Sequence, residues 1–299
     1  MICKITGNKI KPFMSFGKMP IANGFLKKEF FKKEFYFNME VGFSKKLSLF
    51  QLNDHPAPKL MFNKNYPFFT SSSKFMVNHF RDYANWIKKN YLRNSQNIIE
   101  IGSNDGSFLK NFKTKQNKIL GVEPSKNVAN LAKKNGINTI NKFFTFKTSQ
   151  SLKSFKKNTD LIIAANAICH IPNLKDLIKG IDNLLTKKGL FIFEEPYLGS
   201  MYEKTSYDQI YDEHIYMFSI TSINKVFKMH KFQLIDVLPQ STHGGSMRYV
   251  ISRIGEYKVK KSVIKGLNYE NKKNISNIRG CLNFKNKCEN SKKKLFKKI

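Results

Sequence analysis

Three side chains suited to proton transfer lie close together in the segment YDQIYDEHIYMF (207–218). His214 follows Glu213 directly, and Tyr211 lies three residues before it. A histidine beside a carboxylate is expected to have a raised pKa and a defined tautomer, which suits a general base. A nearby tyrosine hydroxyl can stabilise a developing oxyanion. This set could remove a proton next to a ketone and hold the resulting enolate.

Metal binding by Glu213 and His214 is the alternative interpretation of the same segment. No second histidine occurs at ligand spacing, so acid–base chemistry is favoured and no metal site is expected. The four cysteines are scattered and form no CxxC pair. We therefore expect free thiols, a reducing compartment and a cytoplasmic location.

A second group of residues surrounds a glycine turn in IIEIGSNDGSFL, where a short strand leads into a predicted helix, DGSFLKNF. Such a turn allows close approach of a ligand. Glu123 follows the next strand, and an acid there can bind two ribose hydroxyls. Asp105 would repel a pyrophosphate, so the pattern favours S-adenosylmethionine over a dinucleotide, with a ligand-free turn as the alternative. The predicted cofactor-binding residues are Gly102, Asn104, Asp105, Gly106, Glu123, Pro124, Ser125 and Asn166.

The segment IIAANAICHIPNL places His170 just after the end of another predicted strand. Ligands bind at the carboxyl ends of strands in such sheets, so His170 is a candidate active-site residue rather than a purely structural one. Amino-group methylases of nucleic acids usually carry an Asn/Asp-Pro-Pro-aromatic stretch there, which this chain lacks.

Two further segments are candidates for substrate binding. EEPYL ends the next strand, and the glycines of HGGSMRY expose backbone N–H groups that could hold a phosphate or a sugar edge. A hairpin turn with an outward-facing arginine is the alternative for the second segment. The predicted substrate-binding residues are Glu195, Tyr197, His243, Gly244, Gly245, Ser246 and Arg248.

Strands alternating with helices position these residues. The segments 97–102, 118–123, 160–166 and 189–195 read as buried strands, with helices between them. This order predicts an α/β fold with a mostly parallel, Rossmann-like sheet. Residues 1–70 read as a small irregular or β-rich N-terminal module, 71–254 as the main domain, and 255–299 as a basic extension. We expect one or two helices in that extension and a solvated, mobile lysine run at its end.

The chain is strongly basic, with a formal net charge of +32, and this allows two interpretations. Phosphate binding would favour a nucleic-acid partner. However, lysine recurs in every segment while arginine occurs only five times, which indicates compositional drift. We expect no nucleic-acid partner, and no apolar run is long enough to indicate a membrane span.

Together, EIGSNDGSFL, GVEPSKNVA, NAICHIPNL, EEPYL, DQIYDEHIYMFS and HGGSMR resemble the sugar C-methyltransferases that act on nucleotide-linked keto-deoxysugars. The resemblance extends from MPIANGFL to about residue 255. It implies a class I methyltransferase fold and methyl transfer from S-adenosylmethionine to the carbon beside a 4-keto group. It also implies that His214 is the base, supported by Glu213, that Tyr211 and His170 stabilise the enolate, and that Tyr66 reaches the sugar.

The chain departs from this family in two places. The N-terminal zinc module of the family uses two CxxC-type pairs, whose positions here hold Cys3, Thr6, Ser44 and Leu47. One thiolate does not make a structural zinc site, so zinc is not expected. The resemblance also leads us to expect that most of the family's C-terminal domain is absent from this chain. Two alternatives follow: methylation of another acceptor, such as a sugar hydroxyl or RNA, or a cofactor-binding paralogue that lacks catalysis. The sugar, the methylated carbon and the oligomeric state are left undetermined.

Overall fold

A computed structural model describes residues 1–92 and 96–298, so the last residue of the predicted C-terminal extension lies outside it. The strands are β1 (Pro12–Pro20), β2 (Tyr36–Ser44), β3 (Leu49–Leu52), β4 (Asn97–Ile101), β5 (Lys118–Val122), β6 (Thr139–Ile140), β7 (Thr159–Ala165), β8 (Leu185–Pro196), β9 (Tyr216–Met217), β10 (Phe232–Gln240) and β11 (Ser246–Arg253). The α-helices are α1 (Pro58–Met61), α2 (Lys74–Tyr91), α3 (Lys126–Lys134), α4 (Phe146–Ser151), α5 (Leu174–Leu184), α6 (Leu198–Lys204), α7 (Ile220–Lys228), α8 (Lys261–Lys272) and α9 (Ile278–Phe296).

The larger sheet has seven strands in the order β10-β11-β8-β7-β4-β5-β6. β4 pairs in parallel with both β5 and β7, and β5 pairs in parallel with β6. β10 and β11 form an antiparallel pair. The predicted mostly parallel α/β sheet is therefore confirmed. The sequence patterns missed β6, because two residues are too few to show a periodicity.

Contacts along the chain define two compact units. The first unit consists of residues 1–57, 169–173 and 194–299, and the second of residues 58–168 and 174–193. These limits differ from the boundaries at residues 70 and 254 suggested by sequence composition, which stay predictions.

Apolar strands and an aromatic cluster form the core of the second unit. Ile98 and Ile99 of β4 are fully buried, as expected for a central parallel strand. Helix α2 begins at Lys74, after Ser73, whose hydroxyl accepts a hydrogen bond from Met76 N and caps the helix. Its buried face carries Tyr83, which stacks on Phe108 with the ring centroids 4.7 Å apart. This helix agrees with the apolar spacing of the sequence.

A smaller antiparallel sheet, β1-β2-β3-β9, belongs to the first unit. Its outer strand β9 comes from the segment that follows His214, so the N-terminal sheet is completed by residues far along the chain. Buried residues of β1, β2 and β3 share one apolar cluster with Cys281, Phe284 and Cys288 of helix α9. The described helices include none that is long and apolar enough to cross a membrane.

The C-terminal extension differs from the prediction at its end. Helices α8 and α9 were expected, but the lysine run does not lie beyond them. Lys292, Lys293 and Lys294 are part of helix α9, with exposed side chains. The opposite face of the helix enters the apolar cluster, which explains why a segment so rich in lysine is helical.

Candidate active site

The glycine turn after β4 has the strained backbone that a close-approach loop requires. Gly102, Asn104 and Gly106 have φ angles of 69°, 47° and 79°. A Cβ atom added to Gly102 would lie 2.6 Å from Cβ of Ala167. Glycine is therefore needed at position 102 for two separate reasons, its left-handed backbone and the nearby alanine.

Glu123 lies after β5 and is held by backbone donors. Its carboxylate accepts hydrogen bonds from Asn104 N at 2.9 Å and from Ser125 N at 2.7 Å. Burial raises the pKa of Glu123, and these two hydrogen bonds oppose the rise. Since a carboxylate has about four lone-pair sites, it can still accept two ribose hydroxyls. Glu123 thus lies at the expected strand end, and its binding of ribose hydroxyls stays a prediction.

Asp105 is a structural part of the same turn. Its carboxylate accepts hydrogen bonds from Ser107 N at 3.1 Å and from Ser71 N at 2.8 Å. The first closes a local turn, and the chain continues only as a short 3-10 helix, Leu109–Phe112. The helix predicted over DGSFLKNF is thus present only as this short 3-10 helix. The contact with Ser71 could not be foreseen, because it joins residues 34 positions apart.

The remaining predicted cofactor residues lie in the same unit. Asn141 Nδ2 donates to the carbonyl oxygens of Glu123 and Pro124, and thereby fixes this turn. Asn166 follows β7 and has a φ angle of 50°. Buried acidic groups beside glycine turns fit S-adenosylmethionine, which carries a cationic amino group, a sulfonium and ribose hydroxyls but no phosphate.

His214 and His170 lie side by side in the first unit. Their rings stack with the centroids 5.3 Å apart and an interplanar angle of 22°. His214 Nδ1 lies 2.8 Å from the carbonyl oxygen of Gln209. A carbonyl only accepts, so Nδ1 carries the proton and Nε2 keeps its lone pair. The Tyr211 hydroxyl donates to that Nε2 at 3.2 Å.

The protonation of both histidines differs from the expectation of a raised pKa. Burial lowers the pKa of His214 to about 4, although the hydrogen bond to the Gln209 carbonyl opposes this. Burial lowers the pKa of His170 well below its usual value, and the nearby His214 and His243 lower it further. The prediction of a raised pKa was wrong, because desolvation outweighs the hydrogen bond to the Gln209 carbonyl. Both imidazoles are neutral at pH 7.

The acids beside His214 fix an N-terminal loop. The Asp212 carboxylate accepts a hydrogen bond from Ala22 N at 3.1 Å. The Glu213 carboxylate accepts one from Asn23 Nδ2 at 2.8 Å. Asn23 lies in MPIANGFL, a segment whose role the sequence did not reveal. These contacts explain why acids cluster here in so basic a chain.

Tyr66, predicted to act beside the base, lies in the second unit. Its ring packs against Phe62 and Phe68, with centroid distances of 5.5 and 5.6 Å. Its carbonyl oxygen accepts a hydrogen bond from Asn127 Nδ2. The structure does not bring Tyr66 and His214 into one compact unit.

The polar groups of β8 and β11 have protein partners. Arg248 is 4% exposed and forms an ion pair with Glu194 at 2.9 Å, while Thr242 donates to the same carboxylate. Arg248 is thus neither the outward-facing arginine of a hairpin nor an unoccupied donor. Ser246 donates its hydroxyl hydrogen to the Thr242 carbonyl. The prediction that Arg248 and Ser246 bind substrate directly is not supported by these contacts.

The hydroxyl of Tyr197, predicted to bind substrate, instead donates to Glu270 at 2.9 Å. Glu270 is fully buried in helix α8 and also accepts hydrogen bonds from Ile220 N and Thr221 N at the start of α7. Sequence reasoning missed Glu270, because a lone acid in a lysine-rich segment gives no signal of burial. Its role is to hold α7 and Tyr197.

A small pocket with room for about one water molecule lies within the first unit. Its polar lining includes His243, Gly244, Gly245, Tyr197 and Gln209. Three of these belong to the HGGSMRY turn, where His243 has a φ angle of 51°. The turn therefore lies beside Gln209, the residue whose carbonyl accepts from His214. That it contacts a substrate stays a prediction.

Metal-ligating atoms also come together in the first unit. Cys169 Sγ and ring nitrogens of His170 and His214 all lie within 4.8 Å of one another. The sequence argument against a metal rested on the lack of a second histidine, and folding supplies one from 44 residues away. The Glu195 carboxylate hydrogen bonds with the Cys169 thiol.

The positions of the N-terminal module that hold zinc in the similar family also come together. The Cys3 thiol hydrogen bonds with the side chains of Thr6 and Ser44. Thr6 N lies 3.5 Å from Cys3 Sγ, and the side chain of Leu47 is buried. One thiol, two hydroxyls and a leucine do not match the nitrogen and sulfur ligands of a structural zinc site.

Comparisons with known proteins decide the family. A family model described as a methyltransferase domain matches residues 77–237, more than half of the chain. The chain belongs to the methyltransferase-domain family. S-adenosylmethionine is the methyl donor of this class, in agreement with the glycine turn and Glu123.

One curated relative is the C-methyltransferase NovU of Streptomyces niveus, which is 28% identical over 236 residues. The match covers 78% of this chain and 56% of NovU, so the chain spans little more than half of that relative. Among solved structures, the PH0226 protein from Pyrococcus horikoshii OT3 is 13% identical. The match covers 62% of this chain and 94% of the PH0226 chain, with a TM-score of 0.50. It shows that the two proteins share a fold.

Proposed function

We propose that this methyltransferase transfers a methyl group to carbon, next to the 4-keto group of a nucleotide-linked deoxysugar in the cytoplasm. The observation that carries the proposal is the buried, neutral His214, whose Nδ1–H is held by a carbonyl and whose Nε2 accepts. A C–H group next to a ketone needs such a base before carbon can attack a methyl donor. The likeness to a C-methyltransferase supports the same chemistry.

In the proposed reaction, Nε2 of His214 takes the proton from the carbon beside the ketone. The Tyr211 hydroxyl must first leave Nε2, which it reaches at 3.2 Å. Once displaced, that hydroxyl is free to donate to the ketone oxygen, where negative charge develops. Substrate entry would thus expose the base and release an oxyanion donor in one movement.

The low pKa of His214 has a cost for catalysis. The base is fully neutral at pH 7, but a histidine with a pKa of about 4 gains little by taking a proton. Donors to the enolate oxygen must therefore carry much of the stabilisation, and we assign that role to Tyr211 and His170. The Gln209 carbonyl, which accepts from Nδ1, stabilises the imidazolium once it forms.

Gly102, Asn104, Asp105, Glu123 and Asn166 are the residues that would hold S-adenosylmethionine. When bound, the cofactor supplies an electrophilic methyl group. Glu123 would accept the ribose hydroxyls, and the glycine turn would allow the cofactor to lie against the backbone. His243, Gly244, Gly245 and Glu195 remain our candidates for sugar contacts.

The test is to incubate the protein in heavy water with labelled S-adenosylmethionine and a panel of nucleotide-linked keto-sugars. Mass spectrometry should find a labelled methyl group on carbon, and deuterium at the same carbon even when methyl transfer is blocked. Methylation of a hydroxyl or of RNA instead would overturn the proposal. Cofactor binding without exchange or methylation would identify a binding-only protein.

A further inference from the structure

We propose that Cys169, His170 and His214 form a binding site for zinc or a similar soft divalent ion, and that the bound ion blocks His214. The three residues all belong to the first unit and come from two segments, the end of the 3-10 helix Ile168–His170 and the loop before β9. Their donor atoms all lie within 4.8 Å of one another. In a tetrahedral zinc site, bond lengths of about 2.0–2.3 Å place the donors roughly 3.5 Å apart. Small side-chain rotations would close that difference.

The types of ligand select the metal. One thiolate and two imidazoles suit zinc and cobalt(II), whereas magnesium and calcium prefer oxygen ligands. Three protein ligands leave one position of a tetrahedral ion open. The site therefore differs from a closed structural zinc site and from the Cys3, Thr6 and Ser44 cluster.

The surroundings of His214 match those of a metal-ligating histidine. Such a histidine usually donates its other ring N–H to a carbonyl or a carboxylate, which fixes the ring and its tautomer. His214 Nδ1 does so with the Gln209 carbonyl at 2.8 Å. The nitrogen left for an ion is Nε2, which also contacts the Tyr211 hydroxyl.

Buried carboxylates provide the charge balance for a cation. Glu195 and Glu213 are 0% and 2% exposed, and Glu195 hydrogen bonds with the Cys169 thiol. On metal binding the thiol proton leaves, by way of that carboxylate, to solvent, and the ion takes its place on sulfur. No change of oxidation state is involved.

Inhibition follows from the competition for one lone pair, and this step rests on the proposed function. The Nε2 atom that would bind the ion is the atom that takes the substrate proton. An ion on Nε2 therefore removes the base, whatever sugar is bound. Metal binding itself does not depend on that function and can be measured without substrate.

The first experiment titrates chelator-treated protein with cobalt(II) and follows its visible and near-ultraviolet absorption. We expect one tetrahedral cobalt per chain with a thiolate charge-transfer band. Cys169→Ser should lose the band and bind at least about 10-fold more weakly, and His170→Asn should also bind more weakly. Cys288→Ser is the matched control, because it changes a thiol of α9 that is not one of the three proposed ligands. This variant should keep the band. A wild-type protein without the band, or a Cys169→Ser variant that keeps it, would overturn the proposal.

The second experiment measures methylation with added zinc. Wild-type activity should be lost on zinc addition and recovered with a chelator, while Cys169→Ser should be active and far less sensitive. Zinc that binds as expected but leaves methylation unchanged would refute the inhibitory role. If no keto-sugar is methylated at all, the proposed function fails, and the cobalt spectrum still decides whether the site exists.

Discussion

Burial favours the uncharged form of the ionisable groups both at the glycine turn of the second unit and at the histidine pair of the first. The result is a protonated acid at the turn and an unprotonated base at the histidine pair. For Glu100, burial and the nearby Glu123 and Asp105 raise the pKa well above its usual value, so the group holds its proton. For His214, burial lowers the pKa to about 4, so the ring is ready to accept one.

Backbone N–H and carbonyl groups then oppose these pKa shifts, each at a different residue. At Glu123, the N–H groups of Asn104 and Ser125 favour the charged carboxylate and limit the rise of its pKa. At His214, the Gln209 carbonyl favours the protonated ring and limits the fall. The comparison shows that burial shifts the pKa of each group toward its neutral form, and that backbone donors or acceptors limit the size of the shift.

The largest expected effect comes from removing the neutral imidazole. His214→Ala should reduce turnover by about 10²–10⁴-fold, the usual contribution of a general base. Cofactor affinity should be almost unchanged, because Gly102 and Glu123 are untouched. Deuterium exchange into the keto-sugar measures this step directly.

His55→Ala is the control for this variant, since His55 lies in the same unit but outside the histidine cluster. It should exchange deuterium at the wild-type rate. If His214→Ala also exchanges at that rate, His214 is not the base, and Tyr211 becomes the next candidate.

The next effect concerns Glu123 and the affinity for the cofactor. Glu123→Ala should weaken S-adenosylmethionine binding by about 1.5–3 kcal/mol, the value of a hydrogen bond to a charged group. Calorimetry on the wild type and the variant would measure it, with Glu203→Gln on the exposed face of α6 as the control. Equal affinities for wild type and Glu123→Ala would show that the acid does not bind the ribose.

A third effect is a pair of opposite pH slopes in the free energy of unfolding. His214 has a lowered folded pKa, so its contribution is present above the unfolded value of 6.5 and is lost as pH falls toward about 4. The loss should be about 3 kcal/mol, from 1.36 kcal/mol per pKa unit. Glu100 has a raised folded pKa, so its contribution is present below 4.5 and is lost as pH rises through the folded value.

Denaturant unfolding at several pH values would separate the two contributions. Relative to wild type, His214→Gln should gain stability as pH falls from 6.5, and Glu100→Gln should gain it as pH rises above 4.5. Parallel curves for wild type and both variants would show that burial does not control these groups.

Much of the sheet could be predicted, because β4, β5, β7 and β8 are apolar runs bounded by turns. The glycine turn and Glu123 were predictable for a similar reason: the strand ends fix where they lie. The partners of His214 were not. Its Nδ1 contact is a backbone carbonyl, which carries no sequence signal, and His170 is 44 residues away. The Tyr197–Glu270 hydrogen bond joins residues 73 positions apart and has no local pattern at all.

The apolar cluster shared by β1 and α9 has a consequence for the order of folding during synthesis. Phe13 is synthesised long before its cluster partners Cys281, Phe284 and Cys288. At about 5–20 residues per second, roughly 10–60 seconds separate them. The second unit has all of its residues by position 193, so it can fold on the nascent chain. The N-terminal sheet must wait, and until its partners are made its apolar strands stay exposed on the nascent chain, which favours aggregation.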